Sequence, residues 1–251
     1  MIQISNFGWR LGNQMFQLAA ATAVAERDGD KVLFPNWDYA QMFEGEFVSE
    51  KGENKPNRVH QEPGFHYTEI PKRTTVINGY FQSEKYFKDY DSKIRSMFKI
   101  REGIIEPLLK KHDDLLSRDV PVVAVHLRRG DYLNHPQHHP VLDMNYFMKA
   151  TKKFPKNAIF LVFSDDTEWC NANFPAIGEK FFIIEGQSDV EDFAMMTLCD
   201  HNVIANSSFS WWAAWLNDNE NKIVVAPEKW FGPAYANNDL KDLYCDGWIK
   251  I

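Results

Sequence analysis

Two different apolar rhythms divide the chain. From residue 119 onward, short unbroken apolar runs recur at 122–127, 159–163, 181–184, 203–205 and 223–226. Between them lie stretches with helical spacing, at 144–153, 167–173, 190–199 and 210–217. Runs of Val, Ile and Phe without polar alternation suit strands covered on both faces. The pattern therefore predicts a parallel sheet with helices on either side. The earlier part is less regular. Residues 2–4, 32–34 and 74–80 predict strands, 12–27 a helix, and 104–118 another helix. The stretch 44–64 carries Gly, Pro, Asn and many charges and predicts a loop. We place the domain boundary near Arg118–Pro121, giving two domains, 1–118 and 119–251, in an α/β chain.

Composition narrows what such a chain binds. Its 251 residues are 44% hydrophobic and 25% charged, enough to build a large unit or two small ones. The formal net charge is −7 and no basic block is present. Duplex nucleic acid is thereby excluded, because neutralising its phosphates needs clustered Lys and Arg. A small phosphorylated ligand needs only one or two arginines. Cys170, Cys199 and Cys245 lack CxxC spacing, which points to a reducing compartment and to neither a disulfide framework nor zinc. No run approaches the ~20 apolar residues of a membrane span. The expected location is the cytoplasm, with any membrane contact confined to the surface.

In an open parallel sheet, ligands bind beyond the carboxyl ends of the strands. Those ends carry Arg128-Arg129-Gly130-Asp131, Ser164-Asp165-Asp166, Glu185-Gly186-Gln187-Ser188 and Asn206-Ser207-Ser208. Strand alternation sends His126 and Arg128 to one face. A guanidinium fork there suits a diphosphate, and Gly130 lets the chain turn sharply. The alternative is an Arg129–Asp131 surface ion pair, with His126 a satisfied core residue. At Asn206-Ser207-Ser208 a strand gives way to a helix, whose first N–H groups and dipole make an anion site. Capping by Ser208 or Ser210 is the competing role, and the two are compatible. Trp211, Trp212 and Trp215 have the spacing of a helix core.

Early in the chain, Gly8-Trp9-Arg10-Leu11-Gly12-Asn13-Gln14 reads as a strand-to-helix turn able to approach a pyrophosphate, or as a plain turn capped by Asn13. Asp28-Gly29-Asp30 and Asp89-Tyr90-Asp91 fit the D-x-D pattern of metal-dependent sugar transferases. Neither ends a buried strand, so both are read as solvated surface and no metal is expected. The segment His135-Pro136-Gln137-His138-His139 reads as a mobile loop.

Taken together, these segments resemble the α-1,2-fucosyltransferase family, glycosyltransferase family 11. Its members carry G-x-L-G-N-Q early, H-x-R-R-G-D-Y in the middle and N-S-S-F-S-W-W late. Here Leu11-Gly12-Asn13-Gln14, the segment from His126 to Tyr132 and the segment from Asn206 to Trp212 keep that order across nearly the whole chain. Phe163-Ser164-Asp165-Asp166 and Asp192 match as well, while Trp9-Arg10 stands where the family usually has two glycines.

The resemblance implies a GT-B-like fold of two Rossmann-like domains, with GDP-fucose in the second and the acceptor nearer the first. It implies that Arg128 holds the β-phosphate, that His126 lies near the nucleoside and that Asp192 accepts from guanine. Ser207 and Ser208, following Asn206, would contact the pyrophosphate. Gly12 and Asn13 would close over the donor, with Asn13 near the reacting centre. Ser164 and Asp165 fall on the donor side, although helix capping competes for Asp165. A β-linked donor and an α-linked product imply inversion, with the 2-hydroxyl of a β-galactoside as acceptor and no cofactor. Asp131 is the candidate base, or else it orients Arg128 or Arg129. Two other readings stay open: a nucleotide-sugar binding protein without chemistry, and a transferase using another GDP-sugar.

Overall fold

The apolar runs of both parts fold into parallel sheets, one in each of two compact units. The computed structural model describes residues 1–48, 58–175 and 178–251. One unit comprises Met1–Arg101 with Asn237–Cys245, the other Glu102–Ala236 with Asp246–Ile251.

The first unit contains β1 (Ile2–Ser5), α1 (Leu11–Asp28), β2 (Val32–Leu33), β3 (Val59–Gln61), β4 (Val76–Asn78) and α2 (Asp91–Met97). Its strands lie parallel in the order β2-β1-β4-β3. Helix α1 is buried at every position from Met15 to Ala25, so it is a core helix and not an amphipathic one. It stops at Gly29, whose φ of 65° is the left-handed cap that glycine adopts without strain. Strand β3 lies inside the stretch predicted as a loop. Three residues at a sheet edge are too few to show a period, and residues 49–57 of that prediction lie outside the described residues.

The second unit runs α3 (Glu102–Lys111), α4 (Asp113–Leu116), β5 (Val122–Leu127), α5 (Met144–Thr151), β6 (Ile159–Ser164), α6 (Thr167–Asn173), β7 (Phe181–Ile183), α7 (Asp189–Leu198), β8 (His201–Val203), α8 (Ser208–Leu216), β9 (Val224–Ala226) and β10 (Ile249–Lys250). All six strands are parallel, in the order β10-β9-β8-β5-β6-β7. Val123, Val125 and Leu127 pack with Phe147 and Phe174 on one face. Alternation sends His126 to the other face, where its ring lies 5.5 Å from Phe209.

One expectation is corrected here, and the compact units divide the chain at other positions than the expected domains. The helix predicted over 104–118 is two helices, α3 and α4, broken at His112. Because α3 packs on α7, the second unit begins at Glu102, earlier than the expected boundary near Arg118–Pro121. Residues 237–245 return to the first unit, where Asp242 pairs with Lys85 at 2.6 Å and accepts from the Tyr67 N–H. Among the described residues, no helix is long and apolar enough to cross a membrane.

Candidate active site

From β5 the second sheet winds outward one way through β6 and β7, and from β8 the other way through β9 and β10. The winding therefore reverses between β5 and β8, and a crevice opens at such a switch point beyond the carboxyl ends. Arg128 follows β5 there, and Asn206 and Ser207 follow β8.

Arg128 is held between two carboxylates. Its Nη2 donates to Asp131 at 2.5 Å and its Nη1 lies 2.9 Å from Asp165. Asp165 also accepts from the backbone N–H groups of Arg129 and Gly130, so it fixes the turn as well as the guanidinium. A Cβ at position 130 would stand 2.5 Å from the Asp165 carboxylate, which is why glycine is needed there. Arg129 donates through Nε to Asp166 and lies 4.1 Å from the Trp169 ring centroid. The ion pair considered between Arg129 and Asp131 is thus replaced by two others. Asp166, not Asp165, caps α6, and its bond to Arg129 holds its carboxyl below the ordinary range. Ser164, at the end of β6, accepts from the Asp166 N–H.

His126 is buried at the end of β5. Burial, and then the charge of Arg128, push it down to about 4, so the imidazole is neutral near pH 7. Its Nδ1 has no hydrogen-bond partner among the described residues. Across the switch point, Ser207 stands at the cap position of α8 without its side chain bonding the first turn. Ser208 opens the helix. The Ser210 hydroxyl is used structurally, accepting from Ala205 N–H and donating to the Ser207 carbonyl. Tyr132 joins the two sides: its ring lies 5.7 Å from the Arg128 guanidinium and its hydroxyl donates to the Asn206 carbonyl. Asn206 itself is buried, donating to the carbonyls of Pro140 and Trp230.

A second cluster lies at the start of α7, where Ser188 and Glu191 form a reciprocal capping box. Flanking that box are Gln187, just before the cap, and Asp192, the fourth helical residue. These two positions face each other across a first turn and commonly hold an apolar pair. Here both are polar, and both present a buried oxygen, Gln187 Oε1 and Asp192 Oδ1, with no partner among the described residues. Burial, then the charges of Glu191 and Asp189, push Asp192 up to about 7. The Gln187 amide nitrogen lies 2.7 Å from His112 Nε2 and 3.7 Å from Met195 Sδ, which orients its oxygen away from both. An unpaired buried acceptor costs about 1–3 kcal/mol. Two such acceptors flank this one capping box.

In the first unit, Gly12 and Asn13 lie in the first turn of α1. Arg10 occupies its cap position, so Asn13 is not the cap; its Oδ1 accepts from Gln82 Nε2 at 2.7 Å.

A family model described as Glycosyl transferase family 11 matches residues 5–251. The chain belongs to this family. It is 33% identical over 190 residues to an α-1,2-colitosyltransferase of Escherichia coli, covering 72% of this chain and 63% of that protein. It therefore spans less than two thirds of that relative's length. To galactoside α-(1,2)-fucosyltransferase 1 of Lagothrix lagotricha it is 28% identical, over 94% of this chain and 75% of the relative. Among solved structures, the Bradyrhizobium fucosyltransferase NodZ, in its crystal soaked with GDP-fucose, aligns with a TM-score of 0.56 at 15% identity, over 86% of this chain and 92% of that one. Identity that low speaks to fold alone, and the fold is the GT-B fold of these fucosyltransferases.

Within this family 11 chain, the motif residues Arg128, Asp131, Asn206 and Ser207 come together at one switch point, with Ser164 and Asp165 beside them. Gly12 and Asn13 belong to the other unit. Three of the four aspartates of the D-x-D segments are engaged: Asp28 accepts from Arg27 and the Arg73 N–H, Asp30 from the Lys31 N–H, and Asp91 from Arg95. The segment predicted as a mobile loop is fastened down. His138 and Gln137 carbonyls accept from Gly232 and Ala234, and His139 stacks on Tyr132 at 4.8 Å. The sequence reading gave no individual role to Gln187 or Tyr132, although both lie in stretches it singled out, and it did not foresee the Asp166–Arg129 pair. For Gln187 a signal existed, namely polar residues at both positions flanking a capping box.

Proposed function

We propose that this family 11 glycosyltransferase moves L-fucose from GDP-β-L-fucose to the 2-hydroxyl of a β-galactoside, inverting the anomeric carbon. The observation that carries the reading is the β5/β8 switch point, where a doubly clamped arginine meets a serine-headed helix start. As the fucosyl C1–O bond breaks, negative charge builds on the β-phosphate and positive charge on the sugar ring. Arg128 and the first turn of α8, with Ser207 and Ser208, meet the charge on the diphosphate. Because they are fixed beforehand, they need no reorganisation as that charge develops.

The base is read at α7. Guanine presents N1–H and its exocyclic amine side by side, and Asp192 Oδ1 with Gln187 Oε1 offers acceptors for both. Adenine offers no matching pair of donors. His126, neutral, borders the nucleoside side, and Ser164 and Asp165 support the Arg128 turn. Asp131 is assigned to orienting Arg128, since its carboxylate is committed to that guanidinium. With Asp131 so committed, the acceptor hydroxyl attacks C1 from the face opposite the departing diphosphate and loses its proton to water on that side. No metal is assigned a role, because Arg128 and the helix start supply positive charge where a cation would otherwise act.

The E. coli relative named for colitosyl transfer favours a second reading, in which the donor is a different GDP-sugar. A panel of GDP-sugars with lactose and other galactosides separates the two, read by product mass and linkage. The first reading requires an α-1,2-fucosylated product, GDP release that depends on the galactoside, and activity that survives excess EDTA. GDP binding with no product from any donor would reduce the protein to a nucleotide-sugar binder. Loss of activity in EDTA would overturn the metal-free step.

A further inference from the structure

The carboxyl end of the first unit's sheet concentrates backbone strain. Among the described residues, Asn6, Trp9, Arg73 and Phe81 are the non-glycine positions with positive φ. Three of them, at 53°, 70° and 55°, lie just past the ends of β1 and β4. Asparagine tolerates that conformation. Tryptophan and phenylalanine adopt it only where their surroundings impose it, and such residues gather at functional sites.

Two polar side chains pin the backbone of these two segments. Buried Gln17 donates through Nε2 to the carbonyls of Asn6 at 3.4 Å and Gly79 at 2.9 Å, tying the segment after β1 to the segment after β4. Glu62 accepts from the N–H groups of Tyr80 and Phe81 at 2.7 and 3.0 Å, and from the Tyr86 hydroxyl.

These anchors hold a pair of rings at the surface. Trp9 is 71% exposed and Tyr80 37%, with centroids 6.1 Å apart. Beside them runs a row of exposed amides: Asn6 donates to Asn78, and Asn78 to Gln61. A tryptophan that leaves its ring in water and its backbone in a disfavoured region is doubly costly to the free protein. The chemistry it offers is that of a neutral sugar site, with an aromatic face for C–H groups and amides for hydroxyls. Galactopyranose presents its C3, C4 and C5 hydrogens on one face, an apolar patch about the size of a ring.

We propose that Trp9 and Tyr80 form a platform on which a pyranose ring of the acceptor stacks, with the Asn6, Asn78 and Gln61 amides reading its hydroxyls. The identity of that sugar as a β-galactoside rests on the function proposed above.

Trp9→Gly in the full chain tests it, because platform and scaffold roles predict opposite results. Glycine relieves the backbone, so the melting temperature should rise. The KM for lactose should rise roughly tenfold, the size of one lost ring contact, while the KM for GDP-fucose holds. Trp9→Phe should recover most of the lactose affinity. An unchanged lactose KM, or both KM values rising as the melting temperature falls, would overturn the platform. Should the wild type transfer nothing to galactosides, the proposed function fails, and the platform is judged on a glycan array. A glycan bound by the wild type and lost in Trp9→Gly sustains it; equal binding, or none, overturns it.

Discussion

The two sheets place their chemistry at the same structural address and make it in opposite ways. Beyond β5 and β6, two arginines and three aspartates are locked to one another by ion pairs of 2.5 to 2.9 Å. Beyond β1 and β4, exposed rings and amides are held by a strained backbone that Gln17 and Glu62 anchor. A diphosphate leaving group is best met by charges that are already fixed, since reorganising them during the reaction would forfeit their advantage. A neutral sugar offers only C–H faces and hydroxyls, which call for flat apolar surface and amides. A parallel sheet thus fixes where a ligand binds, while the one to four residues past each strand set what kind of ligand it is.

The sharpest way to break this contrast is Arg128→Ala. It should cost about 10²–10³-fold in kcat/KM with GDP-fucose and a galactoside, as for a lost charge-stabilising donor. Circular dichroism melting should remain cooperative. Turnover close to wild type would remove the charged rim from the chemistry. Next in size is Asp192→Asn, which puts a donor where the proposed function needs an acceptor for guanine. GDP affinity measured by calorimetry should drop by roughly 10–100-fold, the range for a site left with mismatched polar groups.

The same variant carries a pH signature. The Asp192 carboxyl is raised in the fold from its ordinary 3.8 to about 7. Its contribution to stability is therefore full below the unfolded value and is lost as pH rises through the folded one. The asparagine form should melt higher than wild type at pH 8, with the gap closing toward pH 4. GDP binding to wild type at pH 6 should release protons, because guanine demands the ionised carboxylate. Equal melting at both pH values would mean that Asp192 is not the strained group.

Much of the second unit was legible because strands buried on both faces are written as continuous apolar runs. Strands β5 to β9 all fall on or beside predicted runs. The two-residue β10 and three-residue β3 leave no such trace, since they borrow their order from a longer neighbour. Residues drawn from motifs lie beyond the strand ends where the apolar runs put them, but their pairing was not foreseen. Spacing suggested Arg129 with Asp131, whereas the turn at Gly130 swings Arg129 toward Asp166, 37 positions along. Contacts between strand ends depend on sheet order, which local pattern does not encode. Trp9 was visible as a residue, but its strain exists only in the folded backbone.

A smaller effect sharpens the reading of the base. Gln187→Leu should weaken GDP by roughly tenfold, the worth of one hydrogen bond. ADP binding should change less, so the GDP/ADP ratio of dissociation constants should narrow. An equal loss for both nucleotides would reassign Gln187 to holding His112 and α7 in place.

The smallest expected loss is the most discriminating for mechanism. Asp131→Asn keeps an oxygen that accepts from Arg128 but removes one negative charge from a cluster in which three carboxylates outnumber two guanidiniums. If Asp131 orients Arg128, turnover should fall by less than about tenfold, since a carbonyl oxygen still positions the fork. GDP should bind more tightly, because the diphosphate meets less repulsion, and the gain should shrink as salt rises. A carboxylate that took the proton instead would cost about 10²–10⁴-fold on substitution and erase the acid limb of the pH–rate profile. The two roles thus move GDP affinity and turnover independently, and a loss of the larger size would return the base to Asp131.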